Sequence, residues 1–223
     1  MKRFTSFGVI VLSVLFASTG CRMIGKGIKG SGTIKTEKRE LGAFTSVETT
    51  GAYEIQITCQ QRQSLEIEGD DNILPIIRTE VRDGVLHISN EQNYQGSRPL
   101  VVRIKVPDLQ RIASTGAGDI RIANLKNEKL DVQSTGAARI AADGDTKFVT
   151  INSTGAGKVE LYNLHAERAK VTVTGAAKVD VYASQQLDAT VSGVGQVTYE
   201  GNPSVVNKSV SGIGSVSQRN SGA

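Results

Sequence analysis

The chain has no tryptophan, four prolines, two cysteines and two histidines in 223 residues, and aromatic side chains make up 4% of it. No basic face interleaved with aromatic rings can be assembled from this set, which argues against nucleic acid as a partner. Two cysteines leave no disulfide framework to build once Cys21 has another use, and Cys59 then stands alone in the strand-like text EIQITCQ. His87 and His165 are far apart in the sequence, and neither gains a role from its neighbours. Long apolar runs are also missing. The one extended apolar stretch, Phe7 to Ala17, is too short to span a bilayer as a helix.

That stretch follows Lys2 and Arg3 and runs into Ser18-Thr19-Gly20-Cys21. A basic start, a short apolar segment and small residues before a cysteine form an export signal of the bacterial lipoprotein type. Residues 1–20 are therefore expected to be signal peptide, with Cys21 lipidated and membrane-anchored. Arg22, rather than an aspartate, follows the cysteine and favours the outer membrane. The formal net charge is +4, of which Lys2 and Arg3 supply two. Between residues 22 and 40 six basic residues face two acidic ones, so the remainder is close to balance. The basicity sits in a Gly-rich stretch, 21–39, expected to be a flexible tether beside the membrane.

From residue 40 onward the text reads as strands, and 40–223 is expected to be one domain. Val47 to Ile57 and SLEIEG at 64–69 have strand patterning. The segment from Asp71 to Glu80, with Pro75 near its start, suggests a short helical turn. Asp83-Gly84 between short apolar runs signals a hairpin.

What is abundant is glycine in one phrase: TGAGDIRI at 115–122, TGAARIAA at 135–142, TGAGKVEL at 154–161, TGAAKVDV at 174–181, then SGVGQVTY at 192–199 and SGIGSVSQ at 211–218. The lead glycines Gly116, Gly136, Gly155, Gly175, Gly193 and Gly212 are 20, 19, 20, 18 and 19 residues apart, and Gly51 opens an earlier copy. Every second residue counted from each glycine is apolar or small, as in Val171, Val173, Gly175, Ala177, Val179 and Val181. This is a strand pattern with one buried face, repeated at a solenoid period. Coils of this size cannot bury a face alone, so they must stack, about 4.8 Å apart. The expected fold is an all-β, single-domain parallel β-helix with about 19–20 residues per coil, right-handed by the crossover preference. A β-sandwich or antiparallel prism is the other fold with this strand count, and the regular spacing argues against it. The 65 residues between Gly51 and Gly116 are expected to hold further coils with degenerate phrasing.

The opposite register defines outward ladders. One is Thr115, Thr135, Thr154, Thr174, Ser192 and Ser211, expected to share hydroxyl hydrogen bonds between rungs. The next is Ala117, Ala137, Ala156 and Ala176, then Val194 and Ile213, turning apolar toward the C-terminal end, as a cap of the solenoid, an oligomer contact or a partner contact would. A third holds Asp119, Arg139, Lys158, Lys178, Gln196 and Ser215. Tyr162 and Tyr182 share a repeat position and could stack on each other or on a sugar ring.

Catalysis on a β-helix wall needs clustered carboxylates or a calcium site. Asp119, Glu160 and Asp180 fall as single residues in different ladders, with Asp119 one rung from Arg139 as an ion pair. No catalytic residue, cofactor site or metal site is assigned.

Taken in order, the leader, GSGTIKTEKRELGAFTSVETTGAYEIQIT, DDNILPIIRTEVRDGVLHIS and the TGAGxVxV phrases resemble the bacterial family "putative auto-transporter adhesin, head GIN domain" over about 30–218. The resemblance implies a β-helical, non-enzymatic protein of the cell envelope. Three functions remain open: a rigid binding or adhesion surface toward a host surface or envelope protein; a periplasmic envelope-stress or signalling module; and a carbohydrate-binding or carbohydrate-active protein.

Overall fold

A computed structural model describes residues 27–219. The signal peptide and Cys21 lie outside the described residues. The chain opens with β1 (Ile28–Lys29), β2 (Ile34–Arg39), β3 (Ser46–Gly51), β4 (Glu54–Thr58) and β5 (Ser64–Asp70). A single 3-10 turn, Leu74–Ile76, precedes β6 (Ile77–Arg82), β7 (Val85–Asn90), β8 (Tyr94–Gln95) and β9 (Val101–Lys105). The repeats follow as β10 (Arg111–Gly116), β11 (Asp119–Gly136), β12 (Arg139–Gly155), β13 (Lys158–Leu161), β14 (Leu164–Gly175), β15 (Lys178–Tyr182), β16 (Gln186–Gly193), β17 (Gln196–Glu200), β18 (Val205–Gly212) and β19 (Ser215–Gln218).

The repeats form a parallel β-solenoid. Gly116 lies opposite Gly136, Gly136 opposite Gly155, Gly155 opposite Gly175, Gly175 opposite Gly193, and Gly193 opposite Gly212. Each glycine turns the chain from one wall to the next at positive φ, from +110° at Gly175 to +139° at Gly51. Two constraints meet at this corner. The backbone sits where side chains are strained, and a Cβ on Gly155 would lie 2.5 Å from the Gly136 carbonyl oxygen. The phrase recurs because every coil meets both constraints.

Inside, aliphatic rows run the length of the stack. One joins Leu86, Val47, Ile112, Val132, Ile151, Val171 and Ala189, all buried. On the second wall, Val102, Ile55, Ile120, Ile140, Val159, Val179 and Val197 are equally buried. A fully buried side chain of this kind contributes roughly 1.5–3 kcal/mol, so the rows supply the main driving force.

Stack order departs from chain order. Gly51 lies directly opposite Gly116, so the early coil β3–β4 stacks on β10 and β11 with nothing between. The intervening segment supplies one further rung, β7 beside β3 and β9 beside β4, rather than several coils. Antiparallel strands then close that end: β5 on β9, β2 on β5, and β6 on β7. The expected hairpin is present, with Asp83 and Gly84 both at positive φ between β6 and β7. The expected helical segment is one turn only, because Ile77 onward pairs with β7.

The expected tether is corrected over its outer part. Ile28–Lys29 pairs with Tyr94–Gln95, and Ile34–Arg39 forms a full antiparallel ladder with β5. Its charges resemble linker text but serve as cross-strand partners: Lys35 faces Asp71 and Lys38 faces Glu66, each at 3.5 Å. The Arg39 guanidinium donates to the carbonyls of Leu74 and Ile77 at 3.0 and 2.6 Å. The loop before β2 is held by the buried Asp70, whose carboxylate accepts from the Gly32 N–H, the Ser97 N–H and the Ser97 hydroxyl at 2.7, 2.8 and 2.7 Å. Those Ser97 donors first, then the Gly32 N–H, hold the Asp70 pKa below its ordinary value.

Candidate binding surface

The outward rows are built by the register just described. Asp119, Arg139, Lys158, Lys178, Gln196 and Ser215 align as expected on the second wall. The hydroxyl row of Thr115, Thr135, Thr154, Thr174, Ser192 and Ser211 also aligns. Among the described residues, however, its hydroxyls do not bond from rung to rung. They are exposed and face water.

Ala117, Ala137, Ala156 and Ala176 project outward just past the glycine corner, and Val194 and Ile213 continue them. Their N–H groups bond to the glycine carbonyl of the rung before, Val194 to Gly175 at 2.9 Å and Ile213 to Gly193 at 3.0 Å, which fixes the row rigidly. Val194 is 55% exposed and Ile213 87%. These are large apolar groups on adjacent rungs without cover. Tyr162 and Tyr182 lie elsewhere, where the second wall ends. Tyr182 meets the His165 ring edge-on at 5.0 Å, and Tyr162 lies under the Arg219 guanidinium at 5.5 Å. Neither stacks on the other, so the expected tyrosine pair is not formed. Nor does the structure bring the tyrosines into one patch with Val194 and Ile213.

The expected Asp119–Arg139 pair is replaced. Asp119 bonds Arg121 at 3.1 Å, while Arg139 turns to Glu160, which Lys158 also meets. Glu160 and Asp180 are opposite one another on neighbouring rungs, not in separate ladders. Burial raises the Glu160 pKa, but hydrogen bonds and charge from Lys158 and Arg139 outweigh it and leave the carboxyl below its ordinary range. A carboxylate held ionised between two cations is a poor proton donor.

One concave site was not anticipated. A cleft of about 620 Å³ runs across three rungs, lined by Lys126, Asn127, Glu128, Asp145, Lys147, His165, Glu167 and Tyr182 among others. His165 Nδ1 lies 3.6 Å from Asp145, and Lys147 pairs with Glu128 at 2.8 Å. Most of its residues lie on strand segments beyond the second wall, in β11, β12 and β14, where Lys126 is opposite Asp145 and Asp145 opposite His165 but no phrase repeats. The only available signal was the spacing of Asp145 and His165, 20 residues apart. The cleft offers mixed charges and one aromatic edge, suited to polar contacts, without a nucleophile held against a base. Among the described residues no group of three His, Cys, Asp or Glu side chains could hold a metal ion. Cys59 is fully buried, and burial first, then Asp108 and Asp143, pushes its thiol pKa up to about 12, so it stays protonated.

Comparison with known proteins agrees with this architecture. The model of the family described as "Putative auto-transporter adhesin, head GIN domain" matches residues 43–203. A solved "putative adhesin" from Bacteroides fragilis NCTC 9343 is 24% identical, with a TM-score of 0.71 over 86% of this chain and all of that one. A "putative adhesin" from Parabacteroides merdae ATCC 43184 is 16% identical, with a TM-score of 0.54 over 87% of this chain and 99% of that one. A "putative lipid binding protein" from Parabacteroides distasonis ATCC 8503 is 18% identical, with a TM-score of 0.54 over 87% of this chain and all of that one. At these identities the likenesses show the fold. No curated protein matches the chain. With its family model matched over most of its length, the chain belongs to the head GIN domain family.

Proposed function

We propose that this head GIN domain protein is an exported, non-enzymatic lipoprotein of the cell envelope that presents its solenoid as a binding or adhesion surface. The observation that carries the reading is the rigid row ending in exposed Val194 and Ile213, large apolar groups that a purely structural wall would not need. The family description and the adhesin names of its structural neighbours support the same class. Attachment would run through lipid on Cys21, with the outer membrane favoured by Arg22.

Protease shaving of intact cells, with lysed cells in parallel, tests the display. Cleavage on intact cells is expected. Protection until lysis would refute a surface role and favour the periplasmic signalling module. Cys21→Ala should release the protein from the membrane fraction, and unchanged fractionation would refute the anchor. The cleft beside Tyr182 supports a second reading, recognition of a glycan. A glycan array without binding would remove it.

A further inference from the structure

The two ends of the stack are finished differently. At the β2–β6 end the outer edges carry dense charge: Lys35, Glu37, Lys38 and Arg39 on β2, and Arg78, Glu80 and Arg82 on β6. Such charges keep a sheet edge from pairing with another chain. At the far end the last rung is β18 with β19, and among the described residues each pairs on one side only, with β16 and β17. Its text is mostly valine and serine, with a single charge, Lys208.

Lys208 does not stand on the outer face. It lies opposite Ala189, in line with Val171, Ile151, Val132, Ile112 and Val47, so it ends a row that is otherwise aliphatic. Its inward neighbours on the same strand are Val206 and Val210, which end the adjoining buried rows of Leu187 and Val191. The ammonium lies 4.9 Å over the Tyr199 ring and 3.5 Å from the Val216 carbonyl oxygen. No carboxylate among the described residues pairs with it. The end of the core thus shows the pattern Val, Lys, Val at alternate positions along an unpaired edge.

We propose that β18 is a strand-addition site for an extended segment of another protein carrying a carboxylate between two apolar residues at alternate positions. The main chain would supply the pairing and the side chains the selectivity, as in other edge-strand recognition. An uncharged strand would bury the Lys208 ammonium without a counter-charge, which is costly. A second copy meeting the same end would bring its own Lys208 into the joint and meet like charge. An acidic residue in that register satisfies the lysine, while its apolar neighbours cover Val206 and Val210. The proposal rests on the binding reading above and names a partner class for it. Its test is in solution, so it fails or succeeds apart from the cell-surface location of the domain.

The test uses the full chain, purified as the cell processes it, and two labelled heptapeptides, TVTETVT and TVTKTVT, read by fluorescence anisotropy. The glutamate peptide should bind about tenfold or more tightly than the lysine peptide. Lys208→Glu should reverse that order, and Lys208→Ala should abolish it, both with an unchanged melting temperature. Light scattering should show wild-type monomers at the concentrations used. Equal binding of both peptides, no binding of either at millimolar concentration, or a preference untouched by Lys208→Glu would overturn the proposal. A concentration-dependent wild-type dimer lost in an edge variant such as Val210→Lys would also overturn it, by giving the edge to a second copy.

Discussion

Gly155→Ala is the sharpest test of the corner geometry. The new methyl group would sit 2.5 Å from the Gly136 carbonyl oxygen, where an ordinary carbon–oxygen contact is about 3.3 Å. That carbonyl cannot swing aside freely, because it accepts the Ala156 N–H at 2.9 Å, the bond that holds the corner of one coil on the next. Moving it forfeits about 0.5–1.5 kcal/mol of net hydrogen-bond stabilisation. Holding alanine at φ +114° adds about 1–3 kcal/mol of backbone strain. The total, roughly 2–4 kcal/mol, is a large share of the 5–15 kcal/mol typical of a folded domain. Gly84→Ala is the control. Gly84 also has positive φ, +74°, but nothing lies within 4 Å of its added Cβ, so only the conformational cost of about 1–2 kcal/mol remains. Urea unfolding followed by circular dichroism measures both. A Gly155→Ala loss no larger than that of Gly84→Ala would refute the claim that the glycine is required by the neighbouring coil.

Three further outcomes follow from the interior. Ser134 and Ser153 are buried hydroxyls without partners, in the row that continues as Val173 and Val191. Val173 and Val191 each lie over a glycine of the next coil, Gly195 and Gly214, and Ser134 likewise lies over Gly157, whereas Ser153 has Ala177 in that position. Ser134→Val should therefore hold or raise the unfolding free energy, and Ser153→Val should lower it by about 1–3 kcal/mol through overpacking; the opposite order in urea titrations would refute the pairing. Cys59 should resist a thiol reagent at pH 8 in the folded protein and react only after denaturation, so modification without unfolding would contradict its burial. Asp70→Asn should destabilise the β2–β6 end at neutral pH. Because the folded Asp70 pKa lies below the usual 3.8, its contribution is complete above that value and is lost as pH falls through the folded pKa. Thermal melts of the two proteins should therefore converge in strong acid, and a gap that widens there would refute the assignment.

The solenoid was legible because its hardest local requirement repeats: every corner needs glycine, and the rows beside it alternate. The capping end was not, because β2, β5 and β6 pair antiparallel and need no corner. Lys35 and Lys38 suggested a linker because the sequence does not reveal that Asp71 and Glu66 lie across from them. The return of Gly51 to Gly116 across 65 residues is a long-range pairing that no local period encodes. On the surface, Val194 and Ile213 were visible as a drift in one column. Lys208 was also within reach, since counting back by twos from Gly212 gives Val210, Lys208 and Val206. The cleft could not be read in this way, because the strand segments that line it carry no repeated phrase, although Lys126, Asp145 and His165 are paired across β11, β12 and β14.

This division of labour bears on where recognition resides. The corner glycine and the inward rows are occupied by the demands of stacking, so substitutions there act first on stability. The outward columns carry almost none of that load. In one of them the same backbone position holds Asp119, Arg139, Lys158, Lys178, Gln196 and Ser215 without a change in register. In another it holds four alanines and then Val194 and Ile213, each with the same hydrogen bond to the preceding rung. A wall of this kind can present almost any surface at little cost in stability, since exposed substitutions away from special features usually stay within about 0.5 kcal/mol. The phrase that identifies the fold is thus silent about what the protein binds. That information must lie in the outward columns, in the cleft lined by Lys126, Asp145 and His165, and at the open rung, where Lys208 ends an inward row with a charge.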